Sequence, residues 1–422
     1  MLDFADLPYR YFPPRRRRLL AWLLMRFNGW RYLPRTQRIT CVTVTGHETL
    51  ARRIAAGDRL LFVPNHPTHA DPAIFIEAAR QAGIAPSIMA AYDVFLRRRR
   101  DAWVMQTLGC FSVDREGSDP RSMKQAAALL VDGGHPLTIF AEGNVYLQND
   151  RVTPLTDGAA FLALRARAAV QQHGGRIVVV PVAIKATHLS DVRGELVMRM
   201  HELAQRLDVT LVDARPPLDA LRSLGVAALR RNLKARGFDV PAAETLPQMI
   251  QHAAGDVLTR LEAKLEIEPE RDDALIDRVR KVRRKIHETR TDPQRVADHA
   301  AAATWADEAM LAYRIASYGG QYVAERPTVD RIAETVEKLT EDVHRVMTPP
   351  WADRAALVHF CEPIELTSDD GQQRKLRDAV RALTADCEAA IQAGLDALNG
   401  RIESEQGVGA RPWTEPIGAS AG

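Results

Sequence analysis

The stretch LFVPNHPTHAD, residues 61–71, decides the reading of this chain. Leu60-Leu61-Phe62-Val63 is a short continuous apolar run, the pattern of a buried strand, and Pro64 ends it. Asn65 and His66 follow, and Asp71 stands five positions beyond the histidine. An imidazole and a carboxylate are therefore expected at a strand's C-terminal edge, where open α/β sheets bind their ligands. A neutral imidazole accepts a hydroxyl proton near neutral pH. A carboxylate on the other ring nitrogen fixes the tautomer and stabilises the imidazolium that forms. No serine or cysteine elbow accompanies the pair. The expected chemistry is a dyad that activates a substrate hydroxyl without a covalent enzyme intermediate.

Each residue alone also has a plainer explanation. Asp71 before Pro72 fits an N-cap followed by a first-turn proline, opening a helix over PAIFIEAARQA. His66 fits a loop histidine bonded to backbone. His66, His69 and Asp71 together spell H-x2-H-x-D, a weak metal pattern that differs from H-E-x-x-H. No metal site is expected.

Three further segments stand in order behind the first. GCFSVDRE (109–116) is a short strand followed by Asp114-Arg115. LTIFAEGN (137–144) is an apolar run ending in Glu142-Gly143, and IVVVPVAI (177–184) is a third run, interrupted by Pro181. With NHPTHAD these segments resemble the four motif blocks of the glycerolipid acyltransferases, a family that includes the 1-acyl-glycerol-3-phosphate acyltransferases. The resemblance covers about residues 38–190 and resumes at HFCEPIEL (359–366), which looks like the family's closing strand. It implies that His66 is the general base and that Asp71 orients it. It implies that Arg115 contacts the acceptor's phosphate, and that Glu142 and Gly143 help form the acceptor site. The third block of the family usually reads Phe-Pro-Glu-Gly-Thr-Arg. Here it reads Phe140-Ala141-Glu142-Gly143-Asn144-Val145, without the threonine and arginine. Arg151 is a candidate replacement for the missing cation.

The implied function is transfer of a fatty acyl group to a hydroxyl of a lysophospholipid, of the lysophosphatidic acid kind. Acyl-CoA or an acyl carrier protein would serve as thioester co-substrate, and no cofactor is expected. Two alternatives stay open. One is an acceptor without phosphate, such as an amino-acid lipid. The other is an inactive membrane-associated binding protein.

The 422 residues, 46% hydrophobic, are enough for one large or two medium domains. A formal net charge of +3 gives no reason to expect a nucleic-acid partner. Cys41, Cys110, Cys361 and Cys387 have no CxxC spacing and suit free thiols in a reducing compartment. No run approaches the ~20 apolar residues of a spanning helix. The first residues, MLDFADLPYRYFPP, lack the basic and apolar regions of a signal peptide. RRRRLLAWLLMRFNGWRYLPR (15–35) instead combines basic ends, a short apolar run and Trp/Tyr anchors. That pattern fits a helix lying on an anionic membrane surface. The expected location is peripheral, on the cytoplasmic face of a membrane. A second basic run, Arg97 to Arg100, fits coenzyme A phosphates, an acidic carrier protein, lipid headgroups or simply a solvated helix face.

The expected fold is α/β, a mixed sheet flanked by helices, with an N-terminal membrane-associated helix and a large helical insertion. RITCVTVTG, RLLFVP, CFSV, LTIF and IVVVPVAI read as strands. RSMKQAAALLVDG and GAAFLALRARAAVQQHGG read as helices closed by glycine. The expected divisions are 1–35 (membrane segment), 36–200 (core), 201–350 (charged helical insertion), 351–400 (closing strand and last helix) and 401–422 (disordered tail). Within the insertion, Val329, Ile332, Val336, Leu339 and Val343 mark one apolar helix stripe, expected to be an internal packing face.

Overall fold

The computed structural model describes residues 9–117, 119–240, 245–270, 273–366 and 375–420. The chain divides into two compact units. The first eight residues of the expected membrane segment and the last two of the tail lie outside the described residues.

Tyr9–Ser190 and Pro349–Ala410 form the unit that carries the sheet. It opens with α1 (Arg18–Phe27), a π-helical turn (Asn28–Tyr32) and α2 (Leu33–Thr36). Next come β1 (Ile39–Thr45), α3 (Leu50–Ala55), β2 (Arg59–Pro64), α4 (Asp71–Gln81) and β3 (Ser87–Ala91). They are followed by α5 (Tyr92–Leu96), α6 (Arg99–Leu108), β4 (Phe111–Val113), α7 (Pro120–Asp132), β5 (Leu137–Ile139), α8 (Gly158–Gln172) and β6 (Ile177–His188). All five expected strands of the core form. β3 was not foreseen, because SIMAA has a single β-branched residue.

The strands order as β1-β7-β6-β2-β5-β3-β4, where β7 is Arg354–Phe360, and β8 (Ile364–Glu365) pairs with β6 beside β7. β6, β2, β5, β3 and β4 run parallel, whereas β7 is antiparallel to β6. The sheet is therefore mixed, as expected. Leu60, Phe62, Val180 and Ile184 pack toward Ile74, Phe75 and Ala78 of α4. Leu61, Val63, Val179 and Ala183 pack toward α8 and toward Ile391 and Leu395 of α16, defined below. Helices thus cover both faces.

β6 tolerates a proline at its centre for a definite reason. Cys361 N–H donates to Pro181 O, so the Pro181 backbone faces the junction of β7 and β8. No ladder partner there requires the missing N–H.

Asp191–Thr348, with the chain from Arg411 onward, forms a helical unit. Its helices are α9 (Arg193–Leu207), α10 (Pro217–Lys234), α11 (Leu246–Leu265), α12 (Leu275–Thr291), α13 (His299–Ala316), α14 (Tyr322–Glu325) and α15 (Val329–His344). The apolar stripe of α15 is buried at Val329, Ile332, Val336 and Leu339. So is much of its charged face, with Glu334, Lys338, Glu341 and Asp342 less than a tenth exposed. After β8, α16 (Leu376–Ser404) returns to the sheet.

The tail expected to be disordered is instead packed through its described residues. Trp413 and Ile417 are buried, and Trp413 N–H donates to Pro327 O while Ile417 N–H donates to Arg215 O. Glycine and proline content pointed to disorder, but two buried apolar side chains and paired backbone groups outweigh it.

Candidate active site

Parallel strands bring their C-terminal ends to one edge, and four loops converge there. β2 leads to His66, β3 to Asp93 in α5, β4 to Arg115, and β5 to Glu142 and Gly143. All five residues singled out in the sequence leave the sheet on this edge.

His66 Nδ1 lies 2.9 Å from Asp71 Oδ2. A carboxylate only accepts, so the Nδ1 proton points at Asp71 and Nε2 is left as the basic nitrogen. The ring packs against Phe140, with centroids 4.7 Å apart. The imidazole side chain keeps 17% of its surface exposed while Asp71 has none. Asp71 occupies the first turn of α4, where the helix dipole favours negative charge. Its carboxylate does not cap that helix. It turns back and also accepts the Thr68 N–H at 2.7 Å and the Thr68 hydroxyl at 2.6 Å. Thr68 thus locks the orienting acid. The spacing Thr68-x-x-Asp71 is a capping-box signature, a signal from which it could have been found.

Glu142 is buried directly behind the histidine. Its Oε1 accepts the His66 backbone N–H at 2.9 Å, and its Oε2 accepts the Thr153 hydroxyl. Burial pushes its pKa up to about 8; the bonds from Thr153 and His66 oppose that rise, and the nearby Asp71 charge adds to it. Both oxygens point into protein, so the contact that Glu142 makes is with the histidine's own backbone. Gly143 follows at φ +71°, a conformation side chains disfavour, and closes a turn by donating to Phe140 O at 3.1 Å.

Arg115 ties the second and third segments together. Nη1 donates to Gly143 O at 2.8 Å, and Nη2 pairs with Asp93 at 3.1 Å. Asp93 was missed with the strand that precedes it.

Two asparagines explain how the edge is built. β2 ends at Pro64, while β6 runs on to His188. Asn65 then bonds both backbone groups of Ile184, donating to its carbonyl at 3.0 Å and accepting its N–H at 2.7 Å. Asn149 does the same for Ala186, accepting its N–H at 3.0 Å and donating to its carbonyl. These side chains stand in for the missing strand and satisfy backbone groups that burial would otherwise strand. Beside Asn149, Asp150 forms a buried ion pair with Lys185. The loop after β5 is thereby pinned to β6 by consecutive residues.

Residues 41–185 match a family model described as Acyltransferase. No curated protein matches the chain. The matched span begins in β1, ends in β6 and contains His66, Asp71, Arg115, Glu142 and Gly143. Over residues 41–185, then, the chain is similar to the acyltransferase family, and acyl transfer is the chemistry that this match supports.

Proposed function

We propose that the protein transfers a fatty acyl group from a thioester, acyl-CoA or an acyl carrier protein, to a hydroxyl of a lyso-lipid. One observation carries this reading. A half-buried imidazole is held through Nδ1 by a fully buried carboxylate, and its other nitrogen is turned away from that partner. His66 Nε2 takes the acceptor's hydroxyl proton as the oxygen attacks the thioester carbonyl. The tetrahedral oxyanion collapses, the carbon–sulfur bond breaks, and the thiolate takes the proton back from the imidazolium. Such a base is worth about 10²–10⁴-fold in rate.

A lysophosphatidic acid-like acceptor follows if Arg115 receives its phosphate. A phosphate-free lyso-lipid is the second reading. It is favoured by the engagement of Arg115 with Asp93 and Gly143, and by Asn144 and Val145 where the family has threonine and arginine. Arg115→Lys separates them. Guanidinium binds phosphate through paired hydrogen bonds that lysine cannot reproduce. With a phosphate acceptor the acceptor KM should rise about tenfold while the thioester KM holds. Equal loss of both, with a lowered melting temperature, contradicts the phosphate assignment.

The proposed location of the reaction is the cytoplasmic face of a membrane. α1 supports this by being apolar on two sides. Ala21 and Met25 face the core, while Leu19, Trp22, Leu23, Phe27 and, in the π-turn, Trp30 stay exposed. Among the described residues no helix is long and apolar enough to cross a membrane, so the helix would lie on the surface. Arg15, Arg17 and Arg18 are exposed beside it. Arg16 is not part of that solvated cluster: it donates to Pro86 O and lies across Gly109. Flotation with anionic vesicles should weaken when Arg15, Arg17 and Arg18 become serine, at about 1 kcal/mol per arginine. Unchanged flotation contradicts the membrane placement.

A further inference from the structure

The exposed face of α1 and the helix bearing Asp71 are joined through the turn that follows α1. At the end of α1 the chain widens into the π-turn Asn28–Tyr32, a local irregularity that often marks a functional position. Asn28 is turned inward and buried, although Phe27 and Trp30 beside it are exposed. Its Nδ2 donates to Ala73 O at 2.8 Å, two residues beyond Asp71 in α4. Gly29 lies so close to α4 that a Cβ there would stand 2.2 Å from Glu77 Oε2. Glu77 cannot easily yield, because Arg80 holds it at 2.8 and 2.7 Å and Gln81 at 3.1 Å. Two successive residues of the turn therefore seat on the first two turns of the helix that carries Asp71, and their neighbours form the apolar face.

The same segment braces a second part of the edge. Phe12 O accepts the Ser112 N–H at 3.0 Å, so the strap before α1 covers the open side of β4. Phe12 stacks on Phe95 of α5, with centroids 5.0 Å apart, and α5 carries the Asp93 that holds Arg115.

We infer that Asn28 and Gly29 are positioning residues: seating α1 on an anionic bilayer steadies α4 through the π-turn and so fixes the His66–Asp71 dyad for reaction at the membrane. The occupant of the apolar face is the bilayer itself, because indole rings and leucines flanked by arginines complement an interface of acyl chains and anionic headgroups. This inference rests on the acyl-transfer reading for its kinetic consequence, but not for its structural one.

The test uses the full chain and vesicles of phosphatidylglycerol and phosphatidylcholine. Hydrogen–deuterium exchange is followed in residues 71–81, with and without vesicles. In the wild type, vesicles should slow exchange there about threefold or more. Asn28→Ala should float with vesicles as well as the wild type yet show no such slowing. Its kcat on vesicle-borne acceptor should fall about fivefold, the size of one net hydrogen bond, with the thioester KM unchanged. Gly29→Ala should show the same signature, and adding Glu77→Ala should restore it by making room for the new Cβ. A merely destabilising change would not be rescued in that way. The inference is overturned if vesicle binding leaves wild-type α4 exchange unchanged, if Asn28→Ala is protected like the wild type, or if binding and activity are lost in parallel. If no thioester is turned over by the wild type, the acyl-transfer reading fails, and the exchange data still decide the coupling.

Discussion

The sheet edge and α15 both bury ionisable groups, and the two regions differ in what those groups face. At the sheet edge, Asp71 and Glu142 are enclosed, and each holds one part of a histidine that still reaches solvent. On α15, Lys338 Nζ donates to Ser317 O at 2.7 Å and sits 4.2 Å over the Tyr318 ring. Tyr318 in turn donates to Asp342 at 2.6 Å, and Tyr322 to Glu334 at 2.8 Å. There the charges hold helices to one another. Burial of titratable groups is common to both regions; a basic nitrogen turned away from its protein partner belongs to the first. Perturbed groups therefore become a site only where geometry leaves one of them an approach.

The contrast can be broken by substitution. The largest expected effect is at His66. His66→Ala should lower acyl transfer by about 10²–10⁴-fold with little change in melting temperature. Asp71→Asn should also cripple turnover, because an amide no longer fixes the Nδ1 proton. Activity within a few-fold of wild type in the His66 variant, at saturating acceptor and thioester, breaks the distinction.

Glu142 sharpens it. Glu142→Ala leaves the buried His66 N–H without its acceptor, a loss of about 1–3 kcal/mol, and kcat should fall about tenfold. Glu142→Gln keeps the acceptor and should retain most activity. The folded state holds the Glu142 proton more tightly than the unfolded chain, with a pKa of about 8 against 4.5. This group's contribution to stability therefore falls as pH rises from 4.5 to about 8. Melting temperatures across that range should fall less steeply in the glutamine variant. An identical slope would show that folding does not shift this carboxyl's titration.

The smallest effect on activity is expected on α15. Burial lowers the Lys338 pKa from 10.5 to about 8, against the opposing pull of Asp342 and Glu334. Here the unfolded chain binds the proton more tightly, so stability from this group rises between pH 8 and 10.5. Lys338→Met should reduce stability by about 1–3 kcal/mol at pH 7, because the Ser317 carbonyl loses the buried Lys338 ammonium as a donor. It should also flatten the rise above pH 8 and leave acyl transfer unchanged. A selective loss of kcat would place the helical unit in the reaction.

The two regions also differ in how far they could be read from sequence. NHPTHAD announced the dyad because a strand pattern, a histidine and a carboxylate follow one another within eleven residues. The charges of α15 look like an ordinary solvated face, since lone ionisable residues seldom lie buried. Their partners Ser317, Tyr318 and Tyr322 come from the preceding turn and short helix, which nothing local announces. The same blindness hid Asp93 beyond an unrecognised strand, and made Arg16 look like one of four equivalent surface arginines. Asn65 stands at a strand end and Asn149 in the long loop after β5, and the task of both depends on how much longer β6 is than β2. Patterns along the chain revealed elements and the dyad; pairings between distant segments emerged only with the fold.

The central claim is that His66 activates the acceptor directly and that no acyl-enzyme forms. Rapid mixing of the purified protein with an acyl thioester, first without and then with lyso-lipid, tests it by following thiol release and intact protein mass. Ping-pong catalysis through a covalent intermediate gives a burst of thiol without acceptor. The dyad mechanism predicts no burst, no acylated protein, and thiol release that begins only with lyso-lipid and matches acylated product one for one. A stoichiometric burst with a matching gain in protein mass would contradict it.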